Sequence, residues 1–168
     1  MPEPEKKYCL DSSALLELRS LDADVFRGIW DAMNELATKG IIHAPREVLR
    51  EVTHYDTATA TWAKSRKAIF FDPDQTLLDK VVEIQSEFSF FDPDSEIPKA
   101  DPFLVAHSAL TGCTIVTMEV PHKPGRSEAK IPDACKRFGG KVITLSEFFR
   151  EQGYTFIGQK KLRPQVSS

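Results

Sequence analysis

The feature that most constrains this chain is a series of very short apolar runs, each closed by polar residues and followed by a stretch of helical periodicity. Tyr8-Cys9-Leu10 stops at Asp11-Ser12-Ser13, and Ile41-Ile42-His43 runs into Pro45. Thr114-Ile115-Val116-Thr117 is β-branched throughout, and Lys141-Val142-Ile143-Thr144 closes the series. Between them, Ala14–Leu18 reads as helix. Asp22-Ala23-Asp24 opens a second helix to about Lys39, with Val25, Ile29, Met33, Leu36 and Ala37 at helical spacing and Gly40 as its stop. Pro45 suits the first turn of a helix carrying Val48, Leu49 and Val52. Further helices are expected over 57–67 and 74–88, from Asp101-Pro102 to Gly112, and up to Arg150 with Ser146 as cap, while Ala68–Phe71 reads as strand or loop. The echo Phe70-Phe71-Asp72-Pro73-Asp74 and Phe90-Phe91-Asp92-Pro93-Asp94 is turn chemistry anchoring aromatic pairs. Strands alternating with helices predict an α/β fold, a parallel sheet with helices on both faces.

With 168 residues the chain suits one domain, taken as 7–157, followed by a flexible basic tail, 158–168, that carries Lys160, Lys161 and Arg163. A net charge of −3 provides no global field for a polyanion, so nucleic acid would have to meet a local basic patch. Cys9, Cys113 and Cys135 are odd in number and far apart, without a Cys-x-x-Cys pair. They are expected to be buried thiols in a reducing compartment, with neither a zinc knuckle nor a disulfide framework. His43, His54, His107 and His122 show no ligand spacing, and His107 reads as a hydrogen-bonded core histidine. No apolar leader and no membrane-length apolar run is present, so a cytoplasmic location without a membrane partner is expected.

In a parallel sheet all strands end, and all crossover helices begin, along one edge, where ligands bind. Asp11 ends the first run, Glu119 lies just past the run 114–117, Asp101 starts a helix, and Glu51 lies in the helix beginning near Pro45. Each acid also has a plain reading. Asp101 before Pro102 is a helix-start pair, Asp11 before two serines suits a turn, and Glu119 suits a solvated loop. On the helical wheel Glu51 lies nearer the apolar face than Glu47 or Arg50, and Glu47 stays open as the alternative. Crowded carboxylates repel one another, and one or two hard divalent ions, Mg²⁺ or Mn²⁺, would remove that cost. Lys123, Arg126 and Lys130, after Glu119, are the candidates for touching an RNA backbone; ordinary surface charge is the plainer reading of these and of Lys64, Arg66 and Lys67.

The order Leu10-Asp11-Ser12-Ser13-Ala14-Leu15, Pro45…Val48-Leu49-Arg50-Glu51-Val52, Ala100-Asp101-Pro102-Phe103-Leu104-Val105-Ala106 and Ile115-Val116-Thr117-Met118-Glu119 resembles the PIN domain, over about residues 7–150. The resemblance implies a PIN-like three-layer sandwich around a central parallel sheet of four or five strands. It also implies metal-ligand and catalytic roles for Asp11, Glu51, Asp101 and Glu119, and supporting roles for Ser13, which orders the metal site, and Thr117, the hydroxyl before the last acid. Glu119 departs from the aspartate of most members; a PIN-like subgroup with a Thr-x-Glu form also carries a Lys-Ile-Pro-Asp-x-Cys segment, matched here by Lys130–Cys135. The implied function is a Mg²⁺- or Mn²⁺-dependent endoribonuclease, the toxin of a prokaryotic type II toxin–antitoxin pair. RNA would be its substrate, a cognate antitoxin its partner, and a homodimer its assembly. The alternative is a catalytically weak PIN-like module that binds RNA or protein. An aspartyl-phosphate phosphatase would show Asp-x-Asp where this chain has Asp11-Ser12-Ser13.

Overall fold

The computed structural model describes residues 7–55, 57–90, 95–121 and 129–160. Its strands are β1 (Tyr8–Leu10), β2 (Ile42–Pro45), β3 (Phe70–Phe71), β4 (Thr114–Val116) and β5 (Lys141–Ile143). Its helices are α1 (Ser12–Glu17), α2 (Arg27–Thr38), α3 (Arg46–Thr53), α4 (Ala58–Ser65), α5 (Gln75–Glu87), α6 (Asp101–Thr111), α7 (Ile131–Phe138) and α8 (Leu145–Glu151). The strands form one five-stranded sheet in the order β3-β2-β1-β4-β5, every neighbouring pair parallel. This is the α/β architecture, a central parallel sheet of five strands, that the resemblance implies. Among the described residues no helix is long and apolar enough to cross a membrane.

Every residue of β1 and of β4 is buried. Because successive side chains point to opposite faces of a strand, that pattern requires cover on both sides. Tyr8 identifies one side: its ring meets Phe148 of α8 at 4.9 Å and its hydroxyl donates to Glu151 Oε2 at 2.6 Å. Cys9 points the other way, toward His107 of α6. Helices α6 and α8 therefore cover opposite faces, and α6 packs between α5 and α7 on its own side.

Local chemistry shifts several element ends from the sequence expectations. The segment from Asp22 is a turn, whose carbonyl accepts from Val25 N and Phe26 N at 3.0 and 2.8 Å, and α2 begins at Arg27. Trp30 sets the packed face instead of Val25: its indole donates to Leu21 O at 2.6 Å and its ring meets Trp62, while Val25 is 69% exposed. Pro45 is the last residue of β2 and the cap of α3. Thr144, in a capping box with Glu147, starts α8 in place of Ser146. Helix α7 has no counterpart in the sequence reading. Asp74 does cap α5, its carboxylate accepting from Leu77 N at 2.8 Å, and Asp72 pairs with Arg46 at 2.7 Å. The second copy of that turn motif, at 91–94, lies outside the described residues, as does the tail from 161.

Candidate active site at the carboxyl edge of the sheet

The chain leaves β1 toward β2 and β3 on one side, then returns to place β4 and β5 on the other. The carboxyl ends of β1 and β4 are thus the switch point of the sheet, the position where folds of this type open a crevice. Asp11 and Thr117 directly follow those two strands, and Asp11 N donates to Val116 O at 2.9 Å.

Asp11 is 3% exposed and is held by two hydroxyls: Ser13 Oγ donates to its Oδ2 at 2.5 Å and Thr117 Oγ1 donates to the same oxygen at 2.8 Å. Each hydroxyl has one proton, so each acts as acceptor on its other side, Ser13 from Met118 N and Thr117 from Glu119 N, both at 3.0 Å. The network therefore orders the start of the loop after β4 as well as Asp11. Thr117→Val keeps the shape but removes a donor to a buried carboxyl and an acceptor for Glu119 N. The expected loss of stability is about 1–3 kcal/mol, measured by urea denaturation; an unchanged midpoint would show that the network does not stabilise the fold.

The two glutamates are clamped in a matching way. Glu51 Oε1 accepts from Ala100 N at 2.7 Å, the amide of the residue at the cap position of α6, and its Oε2 accepts from Ser12 Oγ. Glu119 Oε2 accepts from Ile131 N at 2.9 Å, the first amide of α7. Both helices carry proline in the first turn, Pro102 and Pro132, so each start is conformationally set and lends its amide and partial positive charge to a glutamate. Asp101 is 7% exposed and makes no hydrogen bond among the described residues through its carboxyl. It is not the cap of α6, as the sequence suggests, because Ala100 occupies that place.

Asp11, Ser12, Ser13, Glu51, Asp101 and Glu119 line one cleft of about 620 Å³. Burial raises the carboxyl of each of the four acids above its ordinary range, and the neighbouring Asp11 charge adds to the rise at Glu51, Asp101 and Glu119. Asp101 is pushed up to about 8, first by burial and then by Asp11, Glu119 and Glu51, against Lys99. The donor set is hard oxygen throughout, which suits Mg²⁺ or Mn²⁺. Its oxygens are more widely spread than a closed cage. Among the described residues, the group of Asp, Glu, Cys or His ligand atoms lying within 4.8 Å of one another contains none of the acids. A loose carboxylate set fits a small ion that keeps several of its waters.

The wheel reading of α3 is reversed in one respect. Glu47 is the more buried acid, at 5% exposure with Oε2 unpartnered among the described residues, whereas Glu51 is only partly buried; yet Glu51 lines the cleft and Glu47 does not. Lys130 precedes α7, and its charge lowers the Glu119 carboxyl. Lys123 and Arg126 lie outside the described residues. Sequence reasoning missed Lys99, His54 and Tyr55, which also line the cleft. The aromatic pair directly after the helix bearing Glu51 was the signal available for the last two.

A five-stranded parallel α/β protein with an acidic crevice at its switch point is the class these features define. The chain belongs to the family described as Domain of unknown function (DUF4411), whose profile matches residues 8–156. No curated protein matches it. Similar solved structures include PAE2754 from Pyrobaculum aerophilum (13% identity, 88% of this chain and 97% of that one, TM-score 0.49). DNA-bound VapBC from Salmonella typhimurium (13%, 83% and 98%, 0.49) is another. A third is VapBC2 from Rickettsia felis bound to a DNA fragment from its promoter (15%, 82% and 97%, 0.48). Likeness of this degree assigns no activity.

Proposed function

We propose that the chain is a metal-dependent endoribonuclease in which Asp11, Glu51, Asp101 and Glu119 hold one or two Mg²⁺ or Mn²⁺ ions. The observation that carries this reading is the gathering of four carboxyls, all raised by burial, in one open cleft. A fold keeps such an arrangement at a cost, and a divalent ion cancels it. When bound, the ion supplies Lewis acidity toward a phosphoryl group.

The chain's own groups do the rest. Ser13 and Thr117 fix Asp11, the starts of α6 and α7 fix the two glutamates, and Asp101 holds a proton near neutral pH at its carboxyl. Lys99 at the cleft and Lys130 beside Glu119 place positive charge near a phosphodiester, with Lys123 and Arg126 as further candidates. Tyr55, 50% exposed and edge-on to His54 at 5.3 Å, offers a ring to an unstacked base, which favours single-stranded RNA. In the same reading the chain is the toxin of a type II pair, and its antitoxin masks the cleft; this extension is supported by the sequence resemblance.

The test is incubation of the purified chain with structured and unstructured RNAs in Mn²⁺ and in chelator. Cleavage that chelator abolishes is the expected result, together with growth arrest when the chain is expressed alone. Tight RNA binding without turnover at any Mn²⁺ concentration would assign it to the binding-module class instead.

A further inference from the structure

We infer that Cys9, His43, His107 and Cys113 form a zinc site that fastens α6 to β1 and β2, apart from the acidic cleft. Strand register explains the convergence. Cys9 pairs with His43 across β1 and β2, which sets the two side chains side by side on one face. Cys9 also pairs with Ile115, and Cys113, two residues earlier, turns to the same face as Ile115. Helix α6 covers that face and brings His107 to the group. The result is one ligand atom from each residue, all within 4.8 Å of one another, with His43 Nε2 and His107 Nε2 2.8 Å apart. Zinc bonds of about 2.0–2.3 Å imply tetrahedral edges of about 3.3–3.8 Å, so closure asks for side-chain shifts of about 1 Å.

The chemistry selects the ion. Two sulfurs and two imidazoles suit Zn²⁺ and not the hard ions of the acidic cleft. His43 Nδ1 is buried without a partner among the described residues, so the ring's polar contact here is through Nε2. Phe71 shields the group, its ring 4.5 Å from that of His107 and 5.8 Å from that of His43. An adjoining cavity of about 740 Å³, lined by His43, His107 and Cys113 among others, supplies an entry path. Cys9 is two residues from Asp11, and His107 shares α6 with Asp101. The site thus braces the elements that carry two of the cleft acids, Asp11 and Asp101, whether or not the cleft cuts RNA.

The test uses the full chain purified without chelator. One zinc per chain is expected, and exchange for Co²⁺ should give tetrahedral d–d bands with a thiolate charge-transfer band. Cys113→Ser and His107→Asn should each weaken zinc binding by more than about 100-fold, since even supporting groups around a metal are worth up to that factor. Cys135→Ser and Asp101→Asn should leave the charge-transfer band intact, which separates this site from the acidic cleft. If Cys113→Ser does not fold, the half-buried His107 position carries the test through the loss of its band in a chain with unchanged circular dichroism. The proposal is overturned if Co²⁺ gives no charge-transfer band, if the band survives in the His107→Asn chain, or if a Cys9–Cys113 disulfide consumes both thiols in chain purified under nitrogen.

Discussion

Asp101→Asn is expected to stabilise the metal-free chain and to abolish the proposed cleavage of RNA. The substitution keeps the shape and removes the charge. In the folded chain the Asp101 carboxyl titrates at about 8 against an ordinary value of 3.8, burial being the largest cause. A carboxyl raised in the folded state gives stability that is complete below the unfolded value and is lost as pH climbs through the folded one. The metal-free wild type should therefore weaken steadily from about pH 4 to about pH 8, while the asparagine chain escapes this slope. At pH 7 the difference is on the order of 4 kcal/mol in favour of the variant. Activity should move the opposite way, by at least about 10³-fold, which is about 4 kcal/mol of transition-state stabilisation. Urea denaturation in chelator at three pH values, beside an Mn²⁺-dependent cleavage assay, reads both effects. A variant that is no more stable than wild type, with the same pH slope, would remove the electrostatic account of this cleft; full cleavage would remove Asp101 from the catalytic set.

Which parts of this architecture could be read in advance follows from how far apart the interacting residues lie. The runs at Tyr8–Leu10, Ile42–Pro45, Thr114–Val116 and Lys141–Ile143 announce strands by local composition, and the parallel sheet follows from the helices between them. The convergence of Asp11, Glu51, Asp101 and Glu119 on one cleft follows from the geometry of that sheet. What was illegible depends on side-chain partners from elsewhere. Asp101 looks like a helix cap, yet Ala100 holds the cap position of α6 and Asp101 is its first residue, with the Ala100 amide taken by Glu51. On α3 the wheel locates one packed face, but this short helix packs on α1, α4 and β2, so Glu47 is buried as well. The Ile131-Pro132-Asp133 segment matched a family motif and was not read as a helix, although proline in its first turn and Gly139 at φ +82 are start and stop signals. The Cys and His cluster escaped because ligand-spacing patterns look within one loop or helix. Here strand register and a crossover helix assemble it from positions 9, 43, 107 and 113.

The affinity of the acidic cleft for Mn²⁺ should climb by about tenfold per pH unit between pH 6 and 8 and flatten above that. The cause is Asp101 again, seen from the side of the ion. At neutral pH its carboxyl keeps its proton because it is buried beside Asp11, Glu119 and Glu51, with Lys99 as the opposing charge. An ion entering the cleft has to displace that proton, so about one proton leaves per ion bound, and the apparent affinity follows the deprotonated fraction. Calorimetric titration in two buffers of different ionisation enthalpy counts that proton. The same linkage predicts that saturating Mn²⁺ cancels the loss of metal-free stability with rising pH, because the folded acids then bind the ion in place of protons. Asp101→Asn should lower the affinity and flatten its pH profile together, whereas Thr117→Val should leave the profile in place. Binding of Mn²⁺ that is independent of pH over this range, with no proton released, would mean that the ion sits somewhere other than against Asp101.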